Sequence, residues 1–330
     1  MQCAIVALDY SNLYSPMDPP IEDSIVRTKQ GFWLLGSQYV CEIVVNVPSN
    51  AEKSWEANGN TYCIRKSSTK QQRSGTLGDS ESDRVYQAGT SAAVWNIGGT
   101  FIKVKGWRNG MQLESDTIKF VNTISSIPTP QIVYSWVDTE WSRAFLVVKA
   151  IEGQTLDQAW QSLSTDQHFQ IASTVAEFCG ILASSVSENL MTAKGNGIVE
   201  PFLTTPPPKS EPSWKPQMLG PFSSGQLQSY LSDSPVFENF IKSFYFYHAD
   251  LGPSNVIVTE NGNVVGIIDW ESAAFYPKFW LGTKPLVSAG FLLSGTEREA
   301  WAVLLADALK REGFAANMER YRAWEQAIQK

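Results

Sequence analysis

A chain of 330 residues, 43% apolar and 18% charged, can bury a large core, and its length fits two domains or one large bilobal one. The formal net charge of -7 comes without a cluster of Lys and Arg, which speaks against nucleic acid or another polyanion as partner. No run of about 18 apolar residues and no basic leader with an apolar core occurs, so the expected compartment is the cytosol, away from membranes.

Cys3, Cys41, Cys63 and Cys179 are widely spaced and form no CxxC pair, so they are expected to be reduced thiols. Cys179 lies beside Val175, Phe178 and Leu182 on an apolar helix face, which marks it as core packing.

Strand-like runs open the chain at Gly31–Leu35, Tyr39–Val45 and Tyr62–Arg65, and the polar stretch Ser67–Asp83 follows as an expected flexible linker. Two β-type segments come next, the second running from Thr100 to Val104 with Lys103 inside it. Leu113, Thr117, Ile118, Val121 and Ile124 fall at helical spacing, and Ile127-Pro128 ends the pattern. Phe145–Gly153 reads as a buried strand running into a connector. Beyond it, Ser164–Gln167 forms the capping box of a long helix through Ile171, Val175 and Leu182. Pro201–Ser224 is Pro- and Ser-rich and reads as a loop or insertion, while Thr296–Glu299 spells a second capping box before a helix that Gly313 ends.

The chemistry concentrates in "HADLGPSNVIVTENGNVVGIIDWES", His248–Ser272. Asn261-Gly262, flanked by Val256–Thr259 and Val264–Ile268, signals a type I′ hairpin. If Glu260 pairs with Asn263, Asn255 falls opposite Ile268 and beside Asp269, within roughly 5 to 8 Å by sheet geometry. Asp250 sits five positions before Asn255 on a loop that Gly252 and Pro253 tighten. Hard oxygen donors from Asp and Asn suit Mg²⁺ shared with phosphates, and the arrangement fits phosphoryl transfer, with one Asp orienting the attacking hydroxyl. The catalytic candidates are therefore Asp250 and His248, the latter expected to pack and hydrogen-bond so as to shape the turn. Asn255 and Asp269 are the metal candidates.

Together with "LESDTIKFVNTISSIPTPQIV" and "IEGQTLDQAW", this stretch resembles the aminoglycoside phosphotransferase and choline kinase-like family, especially its fungal members. The resemblance covers about Val85 to the C-terminus. It implies an α+β, bilobal protein-kinase-like fold with a small β-rich N-lobe (85–150) and a larger, mainly helical C-lobe (151–330); residues 1–84, outside the resemblance, read as a β-rich extension and flexible linker of unclear role. It further implies ATP and Mg²⁺ as cofactors, Lys103 on the ATP phosphates, Glu114 pairing Lys103, and the connector around Val148 and Ala150 offering backbone groups to adenine. Two departures stand out: Gln87–Gly99 lacks GxGxxG, and Ala249 stands where many members carry Gly.

The expected activity is transfer of the ATP γ-phosphoryl group to a hydroxyl of a polar or amine-bearing metabolite, with Glu271 as a candidate carboxylate for a cationic acceptor. One alternative is a kinase-fold enzyme that activates an alcohol for elimination or cyclisation in specialised metabolism. A protein kinase is disfavoured because "DWE" replaces the DFG-type segment and no APE-like signature follows. A pseudokinase is disfavoured because the key residues are all present.

Overall fold

The computed structural model describes residues 19–67, 83–206, 217–231 and 241–329. These fall into two compact units, the first holding 19–67, 83–109 and 131–150, the second holding the remainder, 110–130 included.

Two five-stranded antiparallel sheets make the first unit. One comprises β1 (Ile25–Lys29), β2 (Phe32–Leu35), β3 (Tyr39–Val44), β4 (Ala51–Ala57) and β5 (Asn60–Lys66), ordered β1-β2-β3-β5-β4. The other comprises β6 (Arg84–Ala88), β7 (Ala92–Ile97), β8 (Thr100–Gly106), β9 (Ile132–Asp138) and β10 (Arg143–Lys149), ordered β6-β7-β8-β10-β9. Period-two alternation decides what each strand buries: on β8, Ile102 and Val104 are fully buried while Lys103 points to the opposite face.

The described residues of the 1–84 segment, expected as a β-rich extension of unclear role, pack on the sheet that follows. Trp33, Leu35, Cys41 and Ile64 of the first sheet share a single apolar core with Trp95, Val104, Phe145 and Val147 of the second. Each sheet buries an apolar face in that shared core, and the first sheet buries a smaller apolar cluster, Val26, Leu34 and Val40, on its other face. Ring stacks run through it, Trp136 on Phe145 at 4.4 Å and Trp55 on Tyr62 at 5.5 Å. Polar ties reinforce the join. Asp138, at the end of β9, accepts from Ser37 N at 2.5 Å, from Ser37 Oγ at 2.9 Å and from Trp141 N at 3.2 Å. The linker expected at 67–83 and the loop expected at 201–224 lie outside the described residues over 68–82 and 207–216, as does Cys3.

The Gly98-Gly99 pair has φ of +58° and +69° and closes the β7–β8 hairpin between Ile97 and Thr100, as a type I′ turn requires. A Cβ on Gly98 would stand 2.6 Å from the Tyr62 ring, and Trp55 Nε1 donates to the Gly98 carbonyl at 2.9 Å. These glycines serve the hairpin and its packing on β4 and β5.

The second unit contains α1 (Glu114–Ile124), β11 (Gln154–Thr155), α2 (Leu156–Ala159), α3 (Thr165–Ala183), β12 (Val186–Ser187), β13 (Asn189–Thr192), β14 (Phe222–Ser223) and α4 (Ser224–Tyr230). It continues with β15 (Phe244–Tyr247), β16 (Val256–Val258), β17 (Val264–Ile267), β18 (Ala274–Pro277), α5 (Lys278–Val287), α6 (Ala300–Arg311) and α7 (Met318–Ile328). Its sheets are β11-β16-β17 and β12-β15-β18-β13-β14. The Ser164–Gln167 capping box forms in full, and α3 buries Ile171, Val175, Cys179 and Leu182 against its neighbours. Burial pushes the Cys179 thiol pKa up, in keeping with a packing role.

The second expected capping box does not form. Helix α6 begins at Ala300, so Glu299 is its N-cap, without a side-chain cap bond, and Thr296 lies ahead of the helix. Gly313 does end α6: with φ +87° its N–H reaches Lys310 O, and Phe314 N reaches Leu309 O at 2.8 Å, a Schellman motif. Among the described residues no helix is long and apolar enough to cross a membrane.

The Asp138 ties yield a stability prediction. Asp138→Ala removes an acceptor for three donors and should lower unfolding free energy by about 2–4 kcal/mol. Denaturant titration checks this. A loss below about 0.5 kcal/mol, the size of an ordinary surface effect, would mean that the apolar core alone joins the sheets.

Candidate active site

The candidate catalytic loop leaves β15 at Tyr247 and enters β16 at Val256. His248 is fully buried, accepts from Asp250 N at its Nδ1 (3.2 Å) and donates from Nε2 to Ile268 O (3.0 Å). These bonds select the Nε2–H tautomer. The ring meets Trp270 edge-on at 4.5 Å. His248 thus ties the loop to the far end of the hairpin through the main chain, with both nitrogens engaged there.

Ala249 and Asp269 both adopt left-handed backbone, with φ of +65° and +64°. Such a conformation costs roughly 1–2 kcal/mol in an alanine, less in an aspartate. At Ala249 the turn swings Asp250 out of the buried strand direction. At Asp269 it ends β17 and starts the 3₁₀ turn Trp270–Ser272, whose first N–H donates to Glu114 Oε1 at 3.1 Å. Trp301 Nε1 donates to Leu251 O at 2.9 Å and pins the loop from α6.

Asn255 is the hub. Its Nδ2 donates to Asp250 O at 2.8 Å and to Asp250 Oδ2 at 3.1 Å, while its carbonyl accepts from Ile268 N at 3.0 Å. With both amide hydrogens committed, the amide presents Oδ1 as its acceptor end. The expected register therefore holds at the catalytic end, although the turn that sets it differs. Gly262 has positive φ and Asn261 does not, and Gly262 N donates to Thr259 O, so the hairpin closes by a type I turn with a glycine bulge rather than a type I′ turn. Val258 then pairs with Val264, and a bulge at Val265 restores the pairing of Ile257 with Gly266 and Val256 with Ile267. The two irregularities offset each other.

Carboxylate oxygens of Glu114, Asp269 and Glu271 lie within 4.8 Å of one another. Glu271, expected beside a cationic acceptor, thus stands with the metal candidate. Burial first, and then the Asp269 charge, raise the Asp250 pKa to about 7, with the Lys284 cation opposing them. Lys284 is itself buried, held by Glu200 Oε1 and Oε2 at 2.9 and 2.8 Å and lying 4.5 Å from the Phe202 ring centroid. Sequence reasoning missed this pair. Lys284 in the apolar run "FWLGTKPLV" was its one signal, since a lysine there needs a buried partner.

The remaining candidates lie in the first unit. Lys103 stands on β8 opposite Leu146 of β10 and Val94 of β7, on the face away from the core. Val148 is half-buried near the end of β10, and the ladder stops at Lys149 opposite Thr100, which leaves Ala150 beyond it.

Comparison with known proteins gives three findings. No curated protein matches the chain. Among solved structures, a thermostable mutant of aminoglycoside phosphotransferase APH(4)-Ia in ternary complex with AMP-PNP and hygromycin B aligns at 15% identity, with 74% of this chain and 82% of that one covered and a TM-score of 0.48. The GDP and kanamycin complex of APH(2")-IIIa aligns at 14% identity over 74% and 81% of the two chains, with a TM-score of 0.42. Residues 242–324 match the profile of the phosphotransferase enzyme family. That matched segment holds His248, Asp250, Asn255 and Asp269.

Proposed function

We propose that this chain is an ATP- and Mg²⁺-dependent small-molecule kinase that moves the γ-phosphoryl group to a hydroxyl of a polar or amine-bearing metabolite. The observation that carries the reading is the pair of hydrogen bonds that Asn255 Nδ2 donates to Asp250, made by a residue whose backbone pairs one position before Asp269. One residue, by side chain and backbone, thereby sits between the group that would orient the acceptor and the group that would hold the metal.

Asp250 is the acceptor-side group: its carboxylate takes the hydrogen bond of the incoming hydroxyl and the proton that hydroxyl loses as oxygen attacks phosphorus and the bond to the β-phosphate oxygen breaks. A pKa raised to about 7 makes it a stronger base than an ordinary carboxylate. His248 is a positioning residue, since both its nitrogens serve the main chain. Asn255 Oδ1 and the Asp269 carboxylate are hard oxygen ligands suited to Mg²⁺, whose chemistry when bound is to neutralise charge on the transferred phosphoryl oxygens. Glu271 and Glu114 supply further carboxylates at that point. Lys103 is assigned to the ATP phosphates, Glu114 to its support, and the Val148–Ala150 connector to adenine, all on the resemblance of the motifs.

Asp250→Asn should leave Mg-ATP affinity near the parent value and reduce turnover by about 10²-fold or more. Steady-state kinetics with labelled ATP decides this, and unchanged turnover would remove Asp250 from the chemistry. Asp269→Asn, chosen because asparagine tolerates left-handed backbone, and Asn255→Ala should each weaken Mg-ATP binding by roughly tenfold or more. Calorimetry with and without Mg²⁺ measures that, and unaltered affinity in both variants would overturn the metal assignment. Glu271→Gln separates two roles: a raised KM for Mg-ATP fits the metal side, whereas a raised acceptor KM with salt sensitivity fits a cationic acceptor. Lys103→Ala should lower turnover while leaving the melting temperature within a few degrees of the parent.

A further inference from the structure

Beside Asp250 lies a turn that none of these assignments uses. The residues after α5 form a 3₁₀ turn, Ala289–Phe291, anchored by the fully buried Phe291 and closed by Ser288, whose Oγ accepts from Gly290 N at 3.3 Å and whose carbonyl accepts from Phe291 N at 3.1 Å. The turn abuts the catalytic loop so closely that a Cβ on Gly252 would run into the Gly290 carbonyl. It is therefore a fixed wall and cannot retreat without moving the loop.

A Cβ built on Gly290 stands 3.3 Å from Asp250 Oδ1 and 3.5 Å from Ser288 Oγ. Two ordinary reasons for a glycine do not apply at this position. Its φ lies outside the left-handed region, so the backbone accepts an L side chain, and the residue is exposed, so no core packing excludes one. What the bare Cα does provide is clearance at the Oδ1 oxygen, while Oδ2 is the one bonded to Asn255. Oδ1 is thus the oxygen left to the acceptor, and Gly290 borders its approach.

We propose that Gly290 is a specificity-determining residue: its missing side chain admits the carbon skeleton of the acceptor over Asp250 Oδ1, favouring alcohols branched at the carbinol carbon over slender primary ones. The inference rests on Asp250 being the acceptor-side group. A primary alcohol brings one substituent past the wall, a secondary ring alcohol brings two, and only the second needs the space that a methyl at 3.3 Å would fill.

The test uses the full chain with labelled ATP, ethanolamine and choline as primary alcohols, and hygromycin B and kanamycin as bulky ring-bearing ones. Gly290→Ala should raise the KM of the bulky acceptors by about tenfold or more, the effect of overpacking one methyl, and lower the ratio of transfer to ATP hydrolysis for them. The KM for ATP and the melting temperature should follow the parent. Ser288→Ala loosens the turn without adding bulk and should not reproduce the split. Equal KM values for Gly290→Ala and parent, or an equal loss with Ser288→Ala, overturns the role of Gly290 and leaves the kinase reading standing. No transfer by the parent to any hydroxyl, with no hydrolysis of ATP, overturns the kinase reading and this inference with it.

Discussion

Everything at this site answers to one constraint, the gathering of carboxylates of like charge in a place that is partly shut off from water. Asp250 feels Asp269, Glu271 and Glu200, and burial alone already disfavours its charged form. Lys284 is the cation in the second unit that opposes them, and it is kept in place by a two-oxygen grip from Glu200 and by the aromatic rings of Phe202 and Trp280. A buried lysine with one partner removed would be an uncompensated charge, which costs about 3–5 kcal/mol, so the pair behaves as a unit. Its effect on Asp250 is electrostatic: the Lys284 charge opposes the rise that burial and the neighbouring carboxylates impose.

Geometry meets the same constraint with backbone. Two left-handed residues, Ala249 and Asp269, turn their neighbours toward one point, and the hydrogen bonds of His248 and Asn255 hold both turns. Strain of this kind, roughly 1–2 kcal/mol at the alanine and less at the aspartate, persists only where the surroundings over-determine it. Here they do, through Trp270 against the His248 ring, Trp301 on Leu251 O and the close approach of Gly252 to Gly290. The His248–Asn255 loop is consequently a braced element although it has no regular secondary structure. Rigid placement is what phosphoryl transfer demands, since positioning supplies most of its rate.

The first unit shows the same economy on a larger scale. Five strands that carry no candidate catalytic residue close the apolar face of five that carry Lys103 and the connector. Without Trp33, Tyr62 and their neighbours, the core side of β8 would be exposed to water, and with it the support of the strand on which Lys103 stands. The opening residues are thus part of the support for the strand that carries Lys103.

Much of the site could be read from the sequence because its parts are close together along the chain. His248, Asp250, Asn255 and Asp269 lie in one loop and hairpin, where spacing and strand period fix neighbours directly, and even the misjudged turn left Asn255 opposite Ile268. What only the tertiary structure decided involves residues far apart: Glu200 with Lys284, 84 positions away, Asp138 with Ser37, 101 positions away, and Gly290 with Asp250. Local pattern carries no record of such meetings. The sequence by itself determined which chemistry is present, because residue type and short spacing are local properties. Packing decided how that chemistry is charged, walled and supported, because burial and close approach exist only once distant segments of the chain have met.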